Sequence, residues 1–211
     1  MKALSLAIAA AIGIAALPAS AADLSNLMVR ARAVNLDMAN KSDAIAGVAP
    51  ADAITVNDKT IPEVDLTWFF TPNVSAELIL TYPQKQTVHS SVLNADAGTF
   101  KHLPPTLTLQ YHVTGLGGFR PYVGAGVNFT NLSAVHLDAA STALGATVNL
   151  KRNSVGLALQ AGVDIPLGGG WLLNADVKKV QIGTKVLAND VSVGKFKVDP
   201  VLVGIGIGKR F

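Results

Sequence analysis

The stretch VLVGIGIGKRF at residues 201–211 decides the fold of this chain. Its first seven residues place a branched apolar side chain at every second position, at Val201, Val203, Ile205 and Ile207. Successive side chains of a β-strand point to opposite faces, so this two-residue period predicts a strand with one continuous apolar face. The other face is small, because glycine fills three of its positions.

A strand with this alternation and a terminal aromatic residue resembles the last strand of bacterial outer-membrane β-barrels. In those proteins the C-terminal Phe acts as the assembly signal. We therefore expect the barrel-assembly machinery to recognise Phe211, and we expect the protein to lie in the outer membrane of a Gram-negative bacterium. Such a location limits the functions that have to be considered.

The N-terminus has the composition of a secretory signal peptide. Lys2 precedes an apolar stretch at residues 3–17, and the small residues Ala19, Ser20 and Ala21 follow. The stretch is too short and too rich in alanine for a membrane helix, which needs about 20 strongly apolar residues. We expect residues 1–21 to be removed and residues 22–211 to form a single barrel domain.

Composition excludes several classes of site. The chain has no cysteine, so it offers no disulfide, no thiol nucleophile and no thiolate ligand for a metal. Its formal net charge is +3, only 15% of the residues are charged, and there is no basic run, so nucleic-acid binding is not expected. Although 50% of the residues are hydrophobic, no run after Ala21 approaches the length of a membrane helix.

The apolar residues alternate with polar ones in eight segments, each about as long as a tilted membrane strand of roughly 9 to 11 residues or slightly longer. These segments are 24–38, 59–70, 74–83, 102–113, 119–130, 152–165, 171–182 and 197–211. They predict an all-β fold, an eight-stranded antiparallel up-and-down transmembrane β-barrel. The alternative is a secreted soluble β-sandwich.

The links between the segments alternate in length. Three are short and rich in turn residues, at 71–73, 114–118 and 166–170, and the four others are long. This order predicts both termini in the periplasm and four loops outside. Lys179 conflicts with the apolar outward face, so we expect it near the outer headgroups or beside a bulge that shifts the register there.

The inward face of the predicted strands is charged near the periplasmic end. Buried charges of both signs in a narrow barrel have to pair, because an isolated buried ion is too costly. We therefore predict a salt-bridged periplasmic plug. Its members are Arg30, Arg32, Glu63, Asp65, Glu77, Arg120, Asp164, Asp176, Lys178 and Arg210.

Nearer the outside the inward face is apolar. An eight-stranded barrel has an interior wide enough for side chains or one small ligand, so these residues predict an apolar cup open to the outside that favours small hydrophobic ligands or detergent. The alternative is that they pack together as a dry core. The cup residues are Val34, Leu36, Met38, Ile61, Ile79, Val180, Ile182, Val198 and Leu202.

The order of these segments resembles the OmpW family of outer-membrane proteins, which includes relatives that take up alkanes. The segments that carry the resemblance are VRAR (29–32), KHLPPTL (101–107), RPYVGAGVNFT (120–130), QAGVD (160–164), WLLNADVK (171–178) and VDP (198–200). The chain departs from the family pattern at Val201 and Lys209, where the family usually has aromatic residues, and in its loops.

The resemblance implies a narrow hydrophobic channel, closed toward the periplasm, from which small apolar molecules leave sideways into the membrane. Pro104, Pro105, Pro121 and Pro200 give this a physical basis, since proline cannot donate to a strand ladder. Each of them is equally compatible with simple bending of a strand at the barrel rim.

Two other functional classes compete with passive uptake. A structural, adhesive or receptor barrel would act through its four loops. A lipid-modifying enzyme would need a histidine close to a nucleophilic serine, but His89 and His136 fall in loops and His112 near the periplasmic end. We expect a monomer with no enzyme activity, cofactor or metal, and with the excess of loop lysines contacting lipopolysaccharide phosphates.

Overall fold

The computed structural model describes residues 25–45 and 47–211. The expected signal peptide at residues 1–21 lies outside these residues. Within the described ranges there is one short helix, and no helix is long and apolar enough to cross a membrane.

The described residues form fifteen strands and this one helix. In chain order they are β1 (Leu27–Asp37), β2 (Lys41–Ser42), β3 (Ile54–Val56), β4 (Lys59–Phe69), β5 (Val74–Leu80), β6 (Gln84–Ser90), β7 (Ala95–Leu103), β8 (Thr106–His112), β9 (Arg120–His136), α1 (Asp138–Leu144), β10 (Val148–Leu150), β11 (Asn153–Gly168), β12 (Trp171–Val180), β13 (Gly183–Ala188), β14 (Val191–Lys197) and β15 (Val201–Arg210).

Eight of these strands form a closed antiparallel barrel in the order β1, β4, β5, β8, β9, β11, β12 and β15. Pairing of β15 with β1 closes the cylinder, from Met28 opposite Arg210 to Asp37 opposite Val201. Closure pairs the backbone groups that an open sheet would leave at its edges, which a bilayer could not hydrate. The predicted eight-stranded up-and-down barrel is therefore confirmed.

Side chains alternate strictly between the lumen and the outside. On β12 every second residue from Leu172 to Val180 is buried, and the residues between them are exposed. The exposed ones are large and apolar, as at Val155, Leu159 and Ile205, whose exposed fractions are 73%, 62% and 67%. This is the pattern of a barrel with a lipid-facing belt.

Lys179 keeps its outward position. It pairs with Leu159 on β11 and with Val201 on β15, with no register shift around it. Its ammonium group donates a hydrogen bond to the carbonyl oxygen of Asp199, near the outer end of the barrel. Of the two explanations for this lysine, a position near the outer headgroups is the one that the structure supports.

The outer end is more structured than the long links suggest. The hairpin of β6 and β7 joins the upper part of β9 and carries β3 at its edge. A separate four-stranded sheet combines β10, β13, β14 and β2, and α1 packs beside β7 and β10. The four long links, predicted only as loops outside the barrel, are folded into strands and a helix for most of their length.

A turn signal in the sequence marks one of these hairpins. Asn189 and Asp190 connect β13 to β14, and both have a left-handed backbone, with φ of 47° and 64°. Asn and Asp tolerate this conformation, and two such residues make the type I′ turn that suits a tight hairpin. The flanking strands contain many small and polar residues, so the sequence shows no clear alternation on either side of this turn and the hairpin was not predicted.

Candidate functional site

The lower lumen is organised around Arg30 of β1. Its guanidinium group binds Asp164 with two nitrogens, Nε to Oδ1 at 3.1 Å and Nη2 to Oδ2 at 2.6 Å. Nη1 also donates to Thr67 Oγ1 at 2.9 Å and to Glu77. Because Asp164 lies on β11 and Glu77 on β5, this one side chain ties opposite walls of the barrel together.

Arg32, one inward position higher on β1, has four carboxylates around it. Its guanidinium nitrogens lie 3.1 Å from Asp65, 3.4 Å from Glu63, and 3.3 Å from both Glu77 and Asp176. Lys178 on β12 pairs with Glu63 and, at 3.4 Å, with Asp176. The three cations thus share their partners across the lumen.

Neutral side chains complete the network. The amide nitrogen of Gln160 donates to Glu77 and to Asp176, each at 2.9 Å. The Tyr122 hydroxyl donates to Asp176 at 2.8 Å and accepts from the Asn174 amide at 3.0 Å. Removing one partner of a buried ion pair typically costs about 3–5 kcal/mol, so the network holds the lower barrel rigidly.

The plug carries a formal excess of negative charge. Five carboxylates, of Glu63, Asp65, Glu77, Asp164 and Asp176, face the three cations Arg30, Arg32 and Lys178. Asp65 is the least satisfied of them: its Oδ2 lies 3.1 Å from Arg32 Nε, yet neither of its oxygens accepts a hydrogen bond within the described residues.

The glycines of β15 make room for the two arginines. A Cβ on Gly206 would lie 2.1 Å from the Ala31 carbonyl oxygen and 2.8 Å from the Cα of Arg32, so no larger residue fits. A Cβ on Gly208 would lie 2.8 Å from Cδ1 of Leu172 and 3.0 Å from Cγ of Arg30. The Gly-x-Gly-x-Gly pattern is therefore the counterpart of the arginines on the neighbouring strand.

Two predicted members of the plug lie apart from it. Arg120 is exposed, Arg210 is partly exposed, and neither forms an ion pair with any residue that the structure describes. They line a cavity of about 420 Å³ at the periplasmic end, where the Arg210 guanidinium stacks 4.0 Å from the Phe69 ring centroid. Inclusion of these two in the plug is corrected: Arg210 pairs with Met28, below Arg30, and Arg120 is directly opposite Asp164 but turns its side chain toward the periplasmic cavity, which alternation does not predict.

The nine residues of the predicted apolar cup all point inward and are buried. Their exposed fractions run from 0% at Val34 to 8% at Leu202. Eight of them pack into a single apolar cluster, and the space left at their level is about 20 Å³, room for roughly one water molecule. The structure therefore corrects the expectation of an open cup: at this height the lumen is filled by packed side chains.

The open apolar cavity lies further out, between the sheets of the outer end. Its volume is about 310 Å³, within the usual range for small-molecule sites. The walls come from the hairpins and helix of the outer end, among them Ile54, Val88, Leu144, Val148 and Val186. This cavity was not predicted, because the segments that line it were expected to be loops.

Aromatic side chains separate the outer cavity from the filled lumen. Phe100 and Phe196 line the cavity and are 1% and 2% exposed. The Phe100 ring lies 6.2 Å from the ring of His102, which in turn borders the small space beside Leu36 and Ile61. A molecule passing inward from the cavity would have to displace these side chains.

His102 belongs to the outer end rather than to the membrane-spanning wall. It lies on β7, which pairs with residues of β9 above the exposed Phe129. Burial, reinforced by the charge of Lys59, lowers the pKa of His102 from 6.5 to about 4. Its Nε2 lies 3.2 Å from the side-chain amide of Gln86, which is buried beside it.

One break in the wall coincides with prolines. Pairing of β5 with β8 ends at Ile79 and Thr106, and pairing of β6 with β7 begins at Gln84 and His102. Pro104 and Pro105 lie in this interval and have no N–H to donate. The small lumen cavity reaches it, since Pro104 is among its lining residues.

The other two prolines do not interrupt the wall. Pro121 pairs with Val163 within β9 and β11. The Pro200 carbonyl oxygen accepts a hydrogen bond of 3.1 Å from the Val180 amide, so strand contact continues there. No cluster of His, Asp or Glu suited to a metal ion occurs in the part of the chain that the structure describes.

Comparison with known proteins decides the family. The sequence model described as the OmpW family matches residues 24–211. The chain belongs to the OmpW family. This assignment agrees with the closed eight-stranded barrel and with the order of the segments from which the resemblance was inferred, and it places the protein in the Gram-negative outer membrane.

Similar proteins agree with this assignment. The "Uncharacterized outer-membrane protein y4mB" of Sinorhizobium fredii is 37% identical over 195 residues, 90% of this chain and 82% of that protein. The "Dibenzothiophene metabolism operon protein PahQ" of Pseudomonas aeruginosa is 30% identical over 142 residues, 66% of this chain and 64% of that protein. The crystal structure of the outer membrane protein OprG from Pseudomonas aeruginosa has a TM-score of 0.74 at 29% identity and covers 90% of this chain and 99% of that one.

Proposed function

We propose that this OmpW-family barrel carries small apolar molecules from the outer surface into the outer membrane without consuming energy. The observation that carries the proposal is the apolar cavity of about 310 Å³ at the outer end, set above an apolar lumen and a charged plug. An apolar molecule gains roughly 25 cal/mol for each Å² of its surface that leaves water, so it is the class of solute that such a cavity favours.

The relative PahQ points to the same class of solute. Its name ties it to a dibenzothiophene metabolism operon, and dibenzothiophene is a compact apolar ring system. The outer cavity here has the volume and the lining for a molecule of this type. We extend the substrate class, small apolar compounds, to this chain and leave the particular compound open.

The plug gives the route a direction. To continue toward the periplasm, an apolar molecule would have to separate ion pairs such as Arg30 with Asp164, which it cannot replace with contacts of its own. The interval without strand pairing beside Pro104 and Pro105 is the weakest part of the wall at the level of the small lumen cavity. We therefore propose that the molecule leaves sideways between β5 and β8.

Passage requires side chains to move, because the lumen between the outer cavity and this exit is filled. Phe100 is the first obstacle, since it borders the cavity and contacts His102 below it. The route involves no chemical step, so we propose that the protein is not an enzyme. Recognition of Phe211 by the barrel-assembly machinery stays a prediction from the sequence.

Uptake of a labelled apolar probe such as naphthalene would test the proposal in cells with and without the protein. Leu144 lines the outer cavity and is 41% exposed, so Leu144→Asp places a charge in the cavity without burying it completely. We expect this variant to lower uptake toward the level of cells that lack the protein. Val191→Asp is the matched control, because Val191 is 66% exposed on a hairpin of the same outer end and does not line the cavity.

Two results would contradict the proposal. Deletion of the protein could leave uptake unchanged, or Leu144→Asp and Val191→Asp could lower it equally. With either result, a role in adhesion or as a receptor through the folded outer end would become the better account, and binding to host or phage surfaces would be the next measurement.

A further inference from the structure

Four lysines converge on a groove on the outside of the barrel, where β11 begins beside β13 and β14. The groove has a volume of about 250 Å³ and is lined by Lys151, Lys185, Lys195 and Lys197, together with polar groups and Val155. All four lysines are exposed. This lysine groove is separate from the lumen and from the outer cavity.

The ammonium groups of the lysine groove have no acidic partner. None of the four forms an ion pair with a residue in the described ranges, whereas the neighbouring Lys41 pairs with Asp52 at 2.8 Å. Lys185 and Lys195 are directly opposite each other on β13 and β14, an arrangement of like charges that weakens a sheet. The nearest carboxylate, that of Asp43, accepts a hydrogen bond of 3.1 Å from the backbone N–H of Lys195 rather than pairing with an ammonium group, so one acidic group stands against four lysines.

The position of the lysine groove along the barrel wall indicates which part of the membrane it contacts. Val155 pairs with Phe129, and both are large exposed apolar residues of the lipid-facing belt. One step further out, Asn131 donates a hydrogen bond of 2.9 Å to Asn153, which marks the change from apolar to polar surface. Because Val155 lines the groove as well, the groove begins at the acyl chains and rises to the headgroups.

We propose that the lysine groove binds the phosphate groups of the phosphorylated glycolipid that forms the outer leaflet, with the acyl chains of the lipid against Val155. Phosphate oxygens accept charge-assisted hydrogen bonds from ammonium groups, and each bond also relieves repulsion between the lysines. An anionic lipid is the ligand whose charged and apolar parts are spaced as the groove and the belt are spaced.

Native mass spectrometry of the purified barrel in a neutral detergent, with chelator present, would test this. The probes are bisphosphorylated lipid A and the same lipid A with both phosphates removed. We expect the wild-type protein to retain the phosphorylated form at least about fivefold better, and the double variant Lys185→Gln with Lys195→Gln to lose most of that preference.

The matched control is Lys85→Gln with Lys101→Gln. These lysines are also directly opposite each other, on β6 and β7, and both are exposed, so the control removes the same charge from another sector of the outer rim. We expect it to leave retention of lipid A within about twofold of the wild type, since charges beyond a Debye length are screened.

The outcomes separate clearly. Equal retention of the two lipid A forms would show that only the acyl chains bind, and equal losses in the two double variants would show a diffuse field without a site; each result overturns the proposal. If Lys185→Gln with Lys195→Gln fails the heat-modifiable gel shift of a folded barrel, Lys197→Gln alone replaces it. Uptake of apolar probes does not enter this test, so it stands or falls separately from the transport proposal.

Discussion

Arg30 and Arg32 decide what the inside of this barrel can be. Both are buried, and their partners come from β4, β5, β11 and β12. A guanidinium group presents several donors in a rigid plane, so one residue can hold several carboxylates in fixed positions. A lysine at either position would bind as a single point and would leave carboxylates unpaired.

The excess of carboxylates in the plug leads to a prediction for Asp65. Asp65→Asn removes one of the surplus charges and disturbs no hydrogen bond of Asp65, although it gives up the ion pair with Arg32 Nε at 3.1 Å, so we expect a small change in the free energy of unfolding. Asp176→Asn should lower it by about 3 kcal/mol, because Asp176 pairs with Arg32 and Lys178 and accepts the Tyr122 hydroxyl.

Urea unfolding of the two variants in lipid vesicles measures this difference. Both changes are Asp to Asn and both sites are buried, so each serves as the control for the other. A loss at Asp65 as large as the loss at Asp176 would mean that the surplus charge is compensated in another way.

At the scale of the strand, β15 and β1 form a complementary pair. Where β1 carries Arg30 and Arg32, β15 carries glycine directly opposite. At these positions the inward side of the closing seam therefore holds two large side chains from β1 and none from β15. A glycine in a strand usually weakens it, and here that weakness is offset by the close approach that it permits.

Gly206→Ala should therefore destabilise the seam. The added methyl group would lie 2.1 Å from a backbone oxygen of β1, which cannot move without shifting the strand, and overpacking of this kind costs about 1–3 kcal/mol. Gly183→Ala is the control, because the nearest atom to its added methyl group would be 3.7 Å away. The unfolding midpoint in urea distinguishes the two, and equal midpoints would contradict the role assigned to the seam.

At the scale of the whole molecule, the barrel and the folded outer end are distinct parts joined through β7, β9 and the strands above the membrane. Alternation predicted the eight barrel strands because the bilayer requires an apolar side chain at nearly every outward position of a membrane strand. The strands of the outer end have no such uniform surroundings. Their side chains contact water, the apolar core or a neighbouring sheet, so their sequences do not alternate regularly. Most of the plug was predictable for the same reason as the barrel.

Two features could not be predicted from the sequence: which inward side chains turn out of the lumen at its end, and whether the lumen is filled. Arg120 is directly opposite the plug residue Asp164 on the neighbouring strand, yet its side chain is exposed and lines the periplasmic cavity, which the two-residue period of a strand does not predict. All nine residues of the predicted apolar cup are buried, but whether nine such side chains leave a cavity depends on the barrel radius and on their rotamers.

The outer end should loosen on acidification. Since burial lowers the pKa of His102 to about 4, the unfolded segment binds a proton more readily than the folded one between pH 6.5 and 4. Stability is therefore complete above pH 6.5 and falls as the pH drops through that window, by about 2 kcal/mol at pH 5.

Hydrogen exchange of the β6 and β7 amides at pH 7 and pH 5, corrected for the intrinsic exchange rate, measures this change. We expect His102→Gln to remove much of the pH dependence, and His89→Gln, at an exposed position of the same hairpin, to retain it. Protection that is independent of pH in the wild-type protein would contradict the prediction.

The ion pairs of Arg30 also affect how the protein enters the bilayer. Its carboxylate partners stand 47 and 134 residues further along the chain, so the guanidinium lacks its full set of partners until β11, the sixth barrel strand, is in place. An incomplete sheet in the hydrocarbon layer would expose that charge to lipid, and the free-energy cost of an unpaired ion there is very large. We therefore expect insertion and closure of the barrel to be coupled, with water solvating the inward face of β1 until β11 pairs.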